Sequence, residues 1–199
     1  MAYRPNAWDD IQIEYVNKII RDYGIKRFFE TGTYHGQTSL YFCMNGLDVY
    51  TVENNQNSYL TAKEILAGSE IKLFYNDSRQ VLKDYVEQDL DEDTLFYLDA
   101  HWGDNLPLTG ELEILDKEDK FVVVCHDVLV PFRTHFKWDK DVSDAFHNFK
   151  FTKPTTKIYP RYNIPMKVPP YVLCGYVILL RDYPMIMDKR FIFEEVIYP

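Results

Sequence analysis

Apolar positions along the chain follow two alternating rhythms. Trp8, Ile11, Tyr15, Ile19 and Ile20 recur at close to helical spacing, and Gly24 follows as a stop. That predicts a helix over Trp8–Tyr23. Beyond it, five short runs are apolar almost throughout: "IKRFFET", "LDVYTVE", "IKLFYND", "TLFYLDA" and "KFVVVCHD". They read as strands. The intervals Gln37–Asn45, Ser58–Ala67, Arg79–Val86 and Leu108–Leu115 read as the helices between them. Strands of continuous apolar character separated by helix-sized intervals predict a mostly parallel sheet buried on both faces, an α/β fold.

After Asp127 the rhythm changes. "VLVPFRTHFKWDKD" is aromatic and basic and too irregular to assign an element, and Val142–Phe149 reads as a short helix. "TKPTTKIYPRYNIPMKVPPY" contains five prolines and reads as a loop with short extended pieces. "YVLCGYVILLRD" is a strand, and "RFIFEEVIY" is a further strand candidate. No internal repeat or linker stands out. We expect one domain over residues 1–199, with an N-terminal helix in 1–24, an α/β core in 25–127 and loops plus C-terminal strands in 128–199.

Composition narrows the function classes. The chain has 199 residues, 46% of them hydrophobic and 16% aromatic, enough for a full core. The formal net charge of -9 argues against a broad nucleic-acid surface, which would need clustered Lys and Arg. No apolar run approaches the ~20 residues that span a bilayer. The N-terminus lacks the basic-then-apolar layout of a secretion signal. Cys43, Cys125 and Cys174 sit in or beside apolar runs without C-x-x-C spacing and are expected to be reduced thiols of a cytoplasmic protein.

Chemistry concentrates where strands end. After the first sheet strand comes Glu30-Thr31-Gly32-Thr33-Tyr34-His35-Gly36. The two glycines allow close backbone approach, and the helix that follows offers free N–H groups and a partial positive charge. Glu30 suits a cationic amine, or the anchoring of the glycine loop itself. A ligand with both an ammonium and a carboxylate would be satisfied here. The plainer alternative is a turn shaped only for tight strand–helix packing. The spacing is neither the dinucleotide fingerprint nor a P-loop. Glu53 ends the second sheet strand, where a carboxylate can accept from two ribose hydroxyls. Asp77 ends the third, where it suits an adenine edge or a helix cap.

The order Glu30-x-Gly32-x-x-x-Gly36, Glu53, Asp77-Ser78 and "YLDAHW" resembles a class I S-adenosylmethionine-dependent methyltransferase over roughly residues 25 to 130. The resemblance implies a Rossmann-like fold with a C-terminal antiparallel strand addition. It also implies S-adenosylmethionine as cofactor. Gly32 with Thr33, Gly36 and Thr38 would line the methionine part, Glu53 with Asn54 would hold the ribose, and Asp77-Ser78 would flank the adenine. "LDAHWGDNLPLTGELEIL" followed by "VVVCHDV" is similar to a small-molecule branch that includes enzymes acting on sugars or secondary metabolites.

The fourth and fifth strand ends bring Asp99, His101, His126 and Asp127 together. Asp99, His126 and Asp127 could bind Mg2+ or another divalent cation, which would acidify and orient an acceptor hydroxyl. Alternatively, His101 or His126 acts as a metal-free general base. Trp102 is a candidate cleft wall. His35, His135 and His147 read as structural. "PFRTHFKW", with Arg133 and Lys137 between aromatics, is a candidate acceptor loop, as is "KIYPRYN" with Tyr159, Arg161 and Tyr162; each is otherwise a plain surface loop. The expected function is O-methylation of a small hydroxylated acceptor such as a sugar. "VPPYV" lies far past the fourth strand and does not serve as the N/D-P-P-Y/F signature of base-amine methylation. A metal-dependent hydrolase or hydroxylase on the same scaffold, or a non-catalytic nucleotide-fold module, are the alternatives. The apolar C-terminal strand is suited to pairing in a homodimer or to closing the sheet.

Overall fold

The computed structural model describes residues 10–88, 93–100, 106–128, 137–161 and 176–184. Helix α1 (Asp10–Tyr23) leads into β1 (Arg27–Thr31), α2 (Gln37–Met44), β2 (Asp48–Glu53), α3 (Gln56–Ile65) and β3 (Lys72–Tyr75). Then follow α4 (Ser78–Val86), β4 (Thr94–Leu98), α5 (Leu108–Leu115), β5 (Phe121–His126), α6 (Lys137–Asn148), β6 (Lys157–Arg161) and β7 (Tyr176–Arg181). The strands form one sheet in the order β3-β2-β1-β4-β5-β7-β6. The first five run parallel, while β7 is antiparallel to both β5 and β6.

Alternation within the strands explains their unbroken apolar character. Phe28, Leu95, Tyr97, Val122 and Val124 face α1 and α2, where they meet Tyr15, Ile19 and Phe42. Their neighbours Phe29, Phe96, Leu98, Val123 and Cys125 face α4, α5 and α6, where they meet Leu82, Leu112 and Phe146. Along β1, β4 and β5 both faces are covered, so neither register of the pleat needs a polar residue; β3, expected to be buried in the same way, lies at the sheet edge and leaves Lys72, Phe74 and Tyr75 exposed.

Most expected elements fall within a few residues of their sequence bounds. Three differ for identifiable reasons. Helix α3 starts at Gln56 rather than Ser58, because the Asn55 side chain accepts from the N–H groups of Asn57 and Ser58 and caps the helix there. Helix α6 starts at Lys137, inside the stretch that looked irregular. Val142 and Phe146 are buried one turn apart, and the same spacing reaches back to Trp138 in the sequence. Within the proline-rich stretch, Lys157–Arg161 forms β6, with Pro160 on an edge strand that tolerates a missing donor. The 190–198 strand candidate and Cys174 lie outside the described residues. Cys43 and Cys125 are free thiols, and no described helix is long and apolar enough to cross a membrane.

The parallel order reverses between β1 and β4. That makes a crevice at the carboxyl ends of these two strands. At the opposite end of β5, a buried cation fixes the antiparallel addition. Arg181 of β7 is 1% exposed. It donates to the Asp116 carboxylate, to the carbonyl oxygens of Asp116 (2.8 Å) and Glu118 (2.7 Å), and to Thr156 Oγ1. Its guanidinium also lies 4.4 Å from the centroid of the Phe121 ring. Removing one partner of such a pair strands the other. Arg181→Met is therefore expected to lower the unfolding free energy by about 3–5 kcal/mol in a urea titration.

Candidate active site

The crevice is built around one close approach. Gly32, with φ +82°, follows β1, and a Cβ there would stand 2.7 Å from the Asp99 carbonyl oxygen. Only hydrogen fits. The Asp99 N–H donates to the Thr31 carbonyl (3.1 Å) and to Thr31 Oγ1 (3.2 Å). The N–H groups of Gly32 and Thr33 both donate to the Val52 carbonyl. The β1 turn is thus pinned to both neighbouring strands.

Glu30 lies beneath this turn and is 2% exposed. Its Oε2 accepts from Ser39 Oγ of α2 and from Thr51 Oγ1 of β2. Thr51 Oγ1 is 2.6 Å from Thr33 Oγ1. Burial pushes the Glu30 carboxyl up to about 8, against the two hydroxyl bonds that favour its charged form, with Asp99 and Glu53 adding repulsion. Of the two roles read from sequence, these bonds describe the anchor: Glu30 ties strand, turn and helix together. Helix α2 begins at a left-handed Gly36 without a side-chain cap and without an acidic residue in its first turn. Its N-terminus is open to an anion. Thr38, in that first turn, is buried.

Glu53, at the tip of β2, faces the same rim. Its Oε2 accepts from the Tyr34 N–H and its Oε1 from the Asn55 N–H, each at 2.8 Å. A carboxylate oxygen has two lone pairs, so each retains one. Tyr34 holds φ 49° and stacks on His35 at 3.8 Å between ring centroids. Asn54 is exposed.

At the tip of β3 the sequence expectation divides. Asp77 caps α4 and also pairs with Arg79, whose Nε donates at 2.9 Å and whose NH2 donates to the other oxygen. The Arg79 side chain holds the Asp77 carboxyl below the usual range. Ser78 turns inward and donates to Glu111 Oε1 of α5. Glu111 is fully buried and was not singled out from sequence. Burial pushes its carboxyl up to about 7, against the favourable Ser78 and Thr31 hydroxyls.

Asp99, His126 and Asp127 converge at the tips of β4 and β5. His126 Nδ1 lies 3.1 Å from Asp99 Oδ1 and 3.2 Å from Asp127 Oδ1. Burial alone would lower the imidazole's affinity for a proton, but the charges of Asp127 and Asp99 outweigh it and raise the pKa well above the ordinary value. Oxygen and nitrogen ligand atoms of the three residues lie within 4.8 Å of one another, a grouping that one divalent cation can span. Asp127 has φ 57°, a conformation that Asp tolerates better than most residues. His101, Trp102 and the 131–136 loop lie outside the described residues, as do the side chains of Tyr159 and Arg161 and all of Tyr162.

No protein-family model and no curated protein sequence matches the chain. Solved structures do. An O-methyltransferase from Bacillus cereus in complex with SAH superposes with a TM-score of 0.66 at 12% identity, covering 90% of this chain and 84% of that one. TomG from Streptomyces achromogenes, an O-methyltransferase involved in tomaymycin synthesis and solved with SAM, gives 0.66 at 17% identity, covering 88% and 81%. The SAH-bound methyltransferase PaMTH1 from Podospora anserina gives 0.57 at 16% identity, covering 85% and 78%. The fold is that of the class I S-adenosylmethionine-dependent methyltransferases. At these identities the likeness extends to the methyltransferase fold and not to individual side chains.

Because Glu30 keeps its proton in the folded state well above the 4.5 of a free carboxyl, the unfolded chain ionises first as pH rises. Its contribution to stability is full at low pH and is lost as pH climbs toward about 8. Relative to Glu30→Gln, the native chain should lose unfolding free energy between about pH 5 and pH 8, at up to about 1.4 kcal/mol per pH unit. Urea titrations across that range check this.

Proposed function

We propose that the chain is an S-adenosylmethionine-dependent methyltransferase that methylates a hydroxyl of a small acceptor such as a sugar. The observation that carries the reading is the sharing of one rim by Glu53, Asp99, His126 and Asp127, at the tips of β2, β4 and β5 in a methyltransferase fold. The open N-terminus of α2 suits the carboxylate of a methionine moiety, and the lone pairs left on Glu53 suit two vicinal hydroxyls.

S-adenosylmethionine supplies an electrophilic methyl group on a sulfonium. The work left to the protein is to hold the acceptor oxygen in line, about 3 Å from that methyl, and to favour loss of its proton. Asp99, His126 and Asp127 would hold a divalent cation through oxygen, nitrogen and oxygen. Such a cation acidifies and orients a hydroxyl. Because a ring nitrogen must be unprotonated to hold a cation, cation binding at His126 would weaken at low pH. The net charge of -9 fits a small-molecule acceptor better than nucleic acid, and the reduced Cys43 and Cys125 fit a cytoplasmic setting.

Three experiments test this. Glu53→Ala should weaken calorimetric binding of S-adenosylhomocysteine by about 1–3 kcal/mol; unchanged affinity removes the ribose role. Asp99→Asn should lower turnover about 100-fold or more while the thermal melt stays near that of the native chain. Chelation should reproduce the loss and added Mg2+ or Mn2+ should restore it; full turnover in chelator rules out the cation.

A further inference from the structure

Glu111 has no part in the reaction just described, yet its surroundings are unlike those of a filler residue. It projects from α5 into the sheet and is 0% exposed. Oε1 accepts from Ser78 Oγ at 2.5 Å, whereas the buried Oε2 has no hydrogen-bond partner among the described residues. The Thr31 hydroxyl favours the charged carboxyl without completing a bond to Oε2. That same hydroxyl accepts the Asp99 N–H. One residue earlier, a Cβ on Gly110 would stand 2.8 Å from Arg79 Cδ, so α5 presses directly on the Asp77–Arg79 pair. The charges of Asp77, Arg79 and Glu111 act on one another, and the Cys125 thiol of β5 also feels that of Glu111.

A buried carboxyl with an unsatisfied oxygen is costly, and an apolar side chain would pack here more cheaply. Glu111 reaches two parts of the rim at once. Through Ser78 it holds the start of α4, just after β3; it also lies beside Thr31 at the tip of β1, whose hydroxyl accepts the Asp99 N–H. We infer that Glu111 is a positioning residue that locks the adenine-side loop at Ser78 to the β1–β4 crevice, and so sets affinity for the adenosyl ligand. The inference rests on the methyltransferase reading above.

The test is calorimetric titration of S-adenosylhomocysteine into the full chain and into Glu111→Ala, Glu111→Gln, Ser78→Ala and the Glu111→Ala/Ser78→Ala double variant. Glu111→Ala and Ser78→Ala should each weaken affinity about 5- to 10-fold at unchanged stoichiometry. The double variant should be no weaker than either single one, because both remove the same link. Glu111→Gln retains an acceptor for Ser78 and should restore affinity to within about twofold. A merely structural role would instead lower the melting temperature and the binding-competent fraction and leave the dissociation constant unchanged, which overturns the inference. Multiplying effects in the double variant overturn it as well. If Glu111→Ala does not fold, native affinity in Ser78→Ala is sufficient to overturn it. Failure of the unaltered chain to bind the ligand instead overturns the methyltransferase reading, and this inference with it.

Discussion

The contact between Gly32 and the backbone of Asp99 governs the rest of the rim. The tips of β1 and β4 approach so closely that no side-chain carbon fits between them. This is the point where the sheet order reverses, and a crevice must open there. Pinning the turn to β2 through Val52 and to β4 through Thr31 gives the crevice a fixed floor. Glu30 completes that floor from below, joining α2 and β2 to the turn in a set of short hydroxyl–carboxyl bonds. A rim made this way is preorganised, since little backbone freedom remains to be lost when a ligand arrives.

Acids of similar sequence position acquire different characters from their depth. Glu30 and Glu111 are enclosed, so their neutral forms are favoured; Glu30 gathers two hydroxyl bonds, whereas Glu111 takes one from Ser78. Asp77 is neutralised by the neighbouring Arg79 and spends its carboxylate on a helix cap. Glu53, at the tip of β2, is tied by two backbone N–H groups, one to each oxygen. Asp99 and Asp127 grip one imidazole. The same two residue types therefore supply scaffold, cap and rim groups within a single edge of the sheet.

Strand identity and the position of the rim were legible in the sequence because burial on both faces writes an unbroken apolar run that helix periodicity does not imitate. Phe28 and Phe29 point to opposite layers, and both are fully buried. Legibility ended where a tertiary partner decides the outcome. Trp138, Val142 and Phe146 carry a helical spacing that intervening charges obscured, and α6 was read short. The sequence did not show that the Ser78 hydroxyl turns to Glu111, 33 positions away along the chain. Glu111 itself was not singled out from the sequence. The packing of α5 on α4 shows that it faces inward. The signal available beforehand was an acid at Glu111 between Leu108 and Leu112, on the apolar side of α5.

The central claim is that the strand tips on either side of Gly32 jointly hold an adenosyl ligand. A crystal structure of the chain with S-adenosylhomocysteine tests it most directly. The account predicts the ligand across the carboxyl ends of β1, β2 and β4, its ribose hydroxyls on Glu53, its carboxylate at the start of α2 and its sulfur facing Asp99. A ligand bound elsewhere on the molecule, or at this rim without contact to Glu53 and α2, would contradict it.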